Sequence, residues 1–209
     1  MDQLAFDVAL LDGIASALLA AAATCRARSM GAHLTGAIVL GCLCGLIGPL
    51  LRESFIRGSA GTRMAAAELP DDVLIGCLGA IASLYLLRKR TWQLFFWLDS
   101  AGIALGSSIG AMLSLDMVGI VGAISIGLVN GLAPGLVRDM ALGDTAMLVE
   151  QDWYATAAAI GCVVTISVFL WLVIGWINSW TAAHAEVTAI CSGCAAMLII
   201  RGWKGKLTG

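Results

Sequence analysis

Two short stretches bring arginine, a carboxylate, glycine and proline together at matching intervals. Gly45, Gly48, Pro49, Arg52 and Glu53 form the first, and Gly131, Pro134, Gly135, Arg138 and Asp139 form the second. Proline removes a backbone donor and crowds the preceding turn, while glycine has little preference for helix, so the hydrogen-bond ladder is expected to open near both Gly-Pro sites. Carbonyl oxygens freed in this way stabilise a hydrated cation. They cannot face lipid, where an unsatisfied backbone group costs several kcal/mol, and so are expected to line a wet cavity or bond to neighbouring helices.

The arginines need partners. At bilayer depth an Arg costs roughly 2.5 to 3.5 kcal/mol on insertion scales, which directs it to the protein interior. The adjacent acids, Glu53 and Asp139, lie on a different side of a helix, so each Arg is expected to pair elsewhere. Asp12 and Asp99 are the symmetric candidates, either crosswise or within the same half. Ser125 and Asn130, upstream of the second break, together with Ser107 and Ser108, supply an uncharged polar lining suited to weak, multi-site contact with an ion.

The elements that must hold these groups are membrane spans. Of 209 residues, 60% are hydrophobic and only 12% charged, with a formal net charge of -2. No basic field of the kind a nucleic-acid binder uses is present, which excludes that partner. Each crossing needs roughly 20 apolar residues. Leu34 to Leu51 and Met117 to Val137 qualify outright. Further spans are read at about Ala5 to Cys25, Asp72 to Leu87, Thr91 to Leu115, Trp153 to Gly175, and from a turn at Asn178 to Thr181 on to Ile200. The acidic opening residues Asp2 and Asp7 do not suit a cleavable signal peptide, so the first segment is expected to remain as a helix.

Sliding the chain by 86 positions lays Thr35 to Glu53 on Val121 to Asp139. Gly36, Ala37, Ile38, Gly41, Gly45, Leu46, Leu50 and Arg52 meet identical residues, and Glu53 meets Asp139. With a one-residue gap, Leu11-Asp12 falls on Leu98-Asp99. Three helices separate the copies, an odd number, so the second copy enters the bilayer from the opposite side. The expected architecture is an all-α integral membrane domain with seven transmembrane helices. It comprises two inverted three-helix repeats, about 5–88 and about 91–175, and a seventh helix at about 184–201. Inverted repeats of this kind place a conduction or binding site near the midplane.

Orientation follows from basic residues near helix ends. With the N-terminus outside, nine of the twelve Lys and Arg fall on the inner face, Arg138 and Arg201 among them. Trp and Tyr residues, including Trp97, Trp153, Tyr154 and Trp203, lie near expected span ends at headgroup level. Small-residue ridges at Gly41 and Gly45, at Gly102, Gly106 and Gly110, and at Gly127 and Gly131 permit close helix contacts. Of the seven cysteines, Cys25, Cys42, Cys44, Cys77 and Cys162 read as small apolar fillers, and Cys191 to Cys194 has a redox or metal spacing but lacks a second ligand pair. His33 and His184 belong to no metal-spaced set, and no nucleophile-base constellation of an enzyme is visible.

The chain resembles the prokaryotic trimeric intracellular cation (TRIC) channel family, also described as glycine-transporter-like. The resemblance rests on Leu11-Asp12-Gly13, on the Gly-rich second and fifth helices that each end in Arg plus an acid, and on Asp152 to Gly161 entering the sixth. It departs from the family where Ala133-Pro134-Gly135 and Ile47-Gly48-Pro49 stand in place of a triple glycine. The resemblance implies a homotrimer with one pore per subunit and permeation of monovalent cations, chiefly potassium, in a prokaryotic inner membrane. No cofactor is implied, and bound lipid is expected only in crevices beside the breaks. An alternating-access transporter of a small zwitterion such as glycine would use the same architecture.

Overall fold

The computed structural model describes residues 3–86, 91–150, 153–175 and 185–205. Six helices cover them: α1 (Gln3–Ser29), α2 (Leu34–Leu86), α3 (Thr91–Leu142), α4 (Met147–Glu150), α5 (Tyr154–Gly175) and α6 (Ala185–Gly205). No strand occurs among the described residues. α2 and α3 are each two helices joined through one glycine. Gly58 takes φ 57° and ψ -137°, and Gly119 takes φ 71° and ψ 179°. Side chains rarely enter that part of backbone space. Counting the arms separately, the described residues contain the seven expected helices plus the one-turn α4, in a multi-pass integral membrane protein.

The arms fold back on themselves. In α2, Cys42 meets Cys77 and Gly41 lies against Ala80. In α3, Gly110 lies against Gly127, and Gly106 against Gly131. These pairs bracket Gly58 and Gly119, with the more distant partners on one arm matching the more distant on the other, as antiparallel hairpins require. The expected connections at residues 52–71 and around Asp116 are therefore not loops. Helix continues to either side of the two glycines, because a single residue free to take these angles reverses the chain.

Among the described residues, the glycines with positive φ are Gly31, Gly58, Gly119 and Gly143. Gly31 and Gly119 are separated by 88 positions, Gly58 and Gly143 by 85, bracketing the 86-residue offset of the sequence repeat. α1 and α3 also end alike. Gly31 N donates to Arg28 O and Ala32 N to Ala27 O, just as Gly143 N donates to Met140 O and Asp144 N to Asp139 O. This pattern satisfies carbonyls that a helix end otherwise leaves bare.

Packing repeats as well. A methyl group on Gly41 would strike Thr24 Oγ1 and Ala20 O, and one on Gly127 would strike Ser107 O and the Ala111 side chain. Gly45 rests on Ser16 O and Ala20, while Gly131 rests on Ile103 O and Ser107. The supporting positions are offset by 87 in the first helix of each half, which is the one-residue gap that aligns Asp12 with Asp99. The small-residue ridges thus pack helices within the chain: the first arm of α2 on α1, and the second arm of α3 on its own first arm. Without a hydrophobic drive between helices in lipid, such backbone approach is what association depends on. α5 and α6 complete the bundle, with Gly161 and Thr165 against Gly193.

Candidate functional site

The first arm of α2 and the second arm of α3 cross at Gly48 and Asn130. A methyl on Gly48 would lie 2.6 Å from Asn130 O and 3.1 Å from Asn130 Oδ1. The crossing is close because glycine presents no side chain there. Asn130 is buried, and its Nδ2 donates to Gly106 O at 2.7 Å, which orients the amide. Its Oδ1 accepts no hydrogen bond from the described residues. Four residues on stands Pro134, which has no N–H, so Asn130 O loses the donor that an α-helix would give it. Asn130 thus brings two acceptor oxygens to the crossing. Nearby, the buried hydroxyl oxygens of Ser107 and Ser108 also have no hydrogen-bond partner among the described residues.

Both Gly-Pro sites remain helical, contrary to the expected opening of the ladder. Residues 45–49 and 131–135 are α-helix, and Gly58 and Gly119 alone have non-helical angles inside α2 and α3. A proline deletes one bond, and the tight glycine packing of the flanking turns holds the rest. What is freed is a pair of single carbonyls, Gly45 O and Asn130 O, in place of an unwound segment. Gly135 packs against the Tyr154 hydroxyl. Ser125 is exposed on the outer side and donates to Val121 O at 2.9 Å, apart from Asn130.

The arginines pair within each half. Arg52 Nη1 lies 2.9 Å from Asp12 Oδ2, and Arg138 Nη1 lies 2.6 Å from Asp99 Oδ1. The sequence neighbours take part too, because the Arg side chain is long enough to curl back along the helix. Arg138 Nε reaches Asp139 Oδ1 at 2.7 Å, and Arg52 Nε stands 3.5 Å from Glu53 Oε1. Glu53 also faces Arg57 at 3.3 Å. Asp139 does more than neutralise charge, since its Oδ2 accepts the Met147 N–H at 2.9 Å and starts α4.

The second half carries additional groups. The Tyr154 hydroxyl donates to Asp99 Oδ2 at 3.0 Å, and Arg201 Nη1 lies 3.6 Å from the same oxygen. Arg138 stacks over Phe95 at 4.8 Å, and Arg201 over Tyr154 at 4.6 Å. Tyr154 and Arg201 were expected at the membrane surface, as a headgroup ring and an inner-face charge. Both are buried, because Asp99 draws them inward. The available signal was Arg201 following an uninterrupted apolar run in α6. Among the described residues, no group of three or more His, Cys, Asp and Glu could hold a metal ion. The expected turn at Asn178 to Thr181, together with His184, lies outside the described residues.

This architecture has solved counterparts. The chain matches the TRIC trimeric intracellular cation channel orthologue from Rhodobacter sphaeroides with a TM-score of 0.77 and 22% identity, covering 93% of this chain and 95% of that one. A structure solved to explain conductance through TRIC cation channels matches with a TM-score of 0.72 and 20% identity, covering 96% of this chain and 93% of that one. A prokaryotic TRIC channel in 0.5 M KCl matches with a TM-score of 0.75 and 15% identity, covering 95% and 98%. A family model described as "Glycine transporter" matches residues 96–171. No curated protein matches. The fold is therefore that of the TRIC channels over nearly the whole chain.

Proposed function

We propose that this protein is a cation channel, conducting potassium and similar monovalent ions along a path through the Gly48–Asn130 crossing. The observation that carries this reading is Asn130 Oδ1, buried without a donor among the described residues where two proline-bearing helices meet, beside the Asn130 carbonyl that Pro134 cannot serve. A buried acceptor without a partner costs about 1 to 3 kcal/mol, and a passing cation or its water supplies what is missing. Ser107 and Ser108 extend the uncharged lining. The Arg52–Asp12 and Arg138–Asp99 pairs brace the two crossing helices and leave no net charge to trap an ion. The solved structures of the same fold are described as cation channels, which supports the same assignment here.

The likeness to that fold and the distribution of charge support the remaining features of the proposal. The channel is a homotrimer with a pathway in each subunit, set in a prokaryotic inner membrane with the N-terminus outside. The second reading, a transporter of a small zwitterion, is favoured by the glycine-transporter description of the model matching residues 96–171. Such a transporter would hold the substrate carboxylate at the N-termini of half-helices. Helix runs without interruption through residues 45–49 and 131–135, so no half-helix N-terminus stands at the crossing.

Purified protein in potassium-loaded liposomes separates the two. Rapid dissipation of a potassium gradient, without saturable glycine counterflow, is expected of the channel. Glycine counterflow without potassium leak would establish the transporter and end the channel assignment.

A further inference from the structure

We propose that Cys42 and Cys77 are a redox modification site, closing to a reversible disulfide that staples the two arms of α2. Their sulfurs lie 2.9 Å apart, face to face across the hairpin, and both side chains are half-buried. The backbones already approach closely here. A methyl on Gly76 would sit 3.6 Å from Cys42 Cα, and one on Gly41 would sit 3.2 Å from Ala80 Cβ. A disulfide needs the sulfurs at about 2.0 Å, so they must close by about 0.9 Å. A metal held between two thiolates asks for the opposite movement, since bonds of roughly 2.3 Å on either side would push the sulfurs well apart.

The oxidant that suits the location is a peroxide, which is small and uncharged and enters a bilayer. One sulfur attacks a peroxide oxygen, breaking the O–O bond and forming a sulfenic acid, with its proton leaving in the first water. The second sulfur then attacks the sulfenic sulfur. The S–S bond forms as the hydroxyl departs with the second thiol proton, as another water. Two thiols are oxidised, one peroxide is reduced to two waters, and thiol-disulfide exchange with a dithiol reverses the bond.

The first arm of α2 carries Gly48, Pro49 and Arg52, and Gly48 lies less than two turns beyond Cys42. A staple at Cys42 would pin that arm to the helix after Gly58 and restrict any movement of Gly48 against Asn130. At the 86-residue offset the other half has Leu128 and Val163, so the device belongs to one repeat alone. The modification itself stands on the thiol geometry, whereas its effect on conduction rests on the channel reading.

The test uses the full chain in liposomes, treated with hydrogen peroxide, alkylated, and cut by trypsin at exposed Arg57, between the two cysteines. The fragments carrying Cys42 and Cys77 should stay joined until reductant is added, with the cross-linked peptide seen by mass spectrometry. In Cys42→Ser and Cys77→Ser they should separate without reductant. Recovery of both residues as alkylated thiols, or as sulfinic acids without a cross-link, in protein of unchanged melting temperature would overturn the site. Potassium flux is read on the same liposomes before and after peroxide. A reversible change of two-fold or more supports the coupling, and equal flux across a formed disulfide overturns it. A formed disulfide with no flux in either state leaves the site standing and removes the channel reading instead.

Discussion

Arg52 and Arg138 occupy equivalent places, yet their surroundings differ in depth. The side chains of Arg138 and Asp99 are 2% and 1% exposed, those of Arg52 and Asp12 are 7% and 19%. Removing one partner of a fully buried pair strands the other, at about 3 to 5 kcal/mol. Arg138→Ala and Asp99→Asn should therefore lower the melting temperature in detergent sharply, and Arg52→Ala clearly less. Equal losses for Arg138→Ala and Arg52→Ala would show that burial does not set the cost. Both arginines and both acids were legible in the sequence, because the repeat aligns them and lipid forbids a lone charge. The same-half choice was not, since either pairing satisfies the symmetry. Nor was Arg138's curl toward Asp139, which helix-face reasoning ignores when a side chain is long. Tyr154 and Arg201 were missed because aromatic and basic residues near span ends normally signal an interface, and their burial depends on Asp99 lying within reach.

For the helices, glycine contacts rank the positions. Gly48 and Gly131 each meet backbone or side-chain atoms within 3.0 Å of where a Cβ would stand, while Gly36 meets nothing within 4 Å. Gly131→Ala and Gly48→Ala should each cost about 1 to 3 kcal/mol by overpacking. Gly36→Ala, gaining helix propensity, should be neutral or stabilising. Thermal unfolding of the three variants checks the order, and a Gly131→Ala as stable as Gly36→Ala would contradict the packing. Pro134→Ala restores the N–H that Asn130 O lacks. It should straighten the second arm of α3 and reduce conductance several-fold with assembly intact, and a full-size current would remove proline from the pathway. Spans and repeat were readable because lipid length and the 86-residue offset are encoded linearly. Hairpins at Gly58 and Gly119 were not, since the sequence does not distinguish a glycine that reverses the chain from one that admits a neighbouring helix.

For the molecule as a whole, the two halves are tied at one end through Arg26 of α1 and Asp144, which follows α3. The hydrogen bond from Arg26 holds the Asp144 carboxyl below the usual carboxylate range. A depressed pKa contributes stability above the unfolded value of about 3.9, and the contribution is lost as pH falls through the folded one. The melting difference between wild type and Asp144→Asn should be present at neutral pH, shrink in salt, and vanish on acidification. A difference unchanged at acid pH would place its origin elsewhere. The inverted architecture was legible because three helices between the copies force opposite entry. The proposed pathway was legible only in outline: the sequence offered two broken helices, whereas the fold keeps them helical and opposes a glycine to an asparagine. All of this converges on conduction past Asn130. Single-channel recording in a planar bilayer with potassium chloride, comparing wild type and Asn130→Asp, is the most direct measurement. Discrete cation-selective steps are expected in wild type, with a changed unit amplitude in the variant, which places a carboxylate at the crossing. Absence of steps from correctly folded wild type, or identical amplitudes in both, would contradict the account.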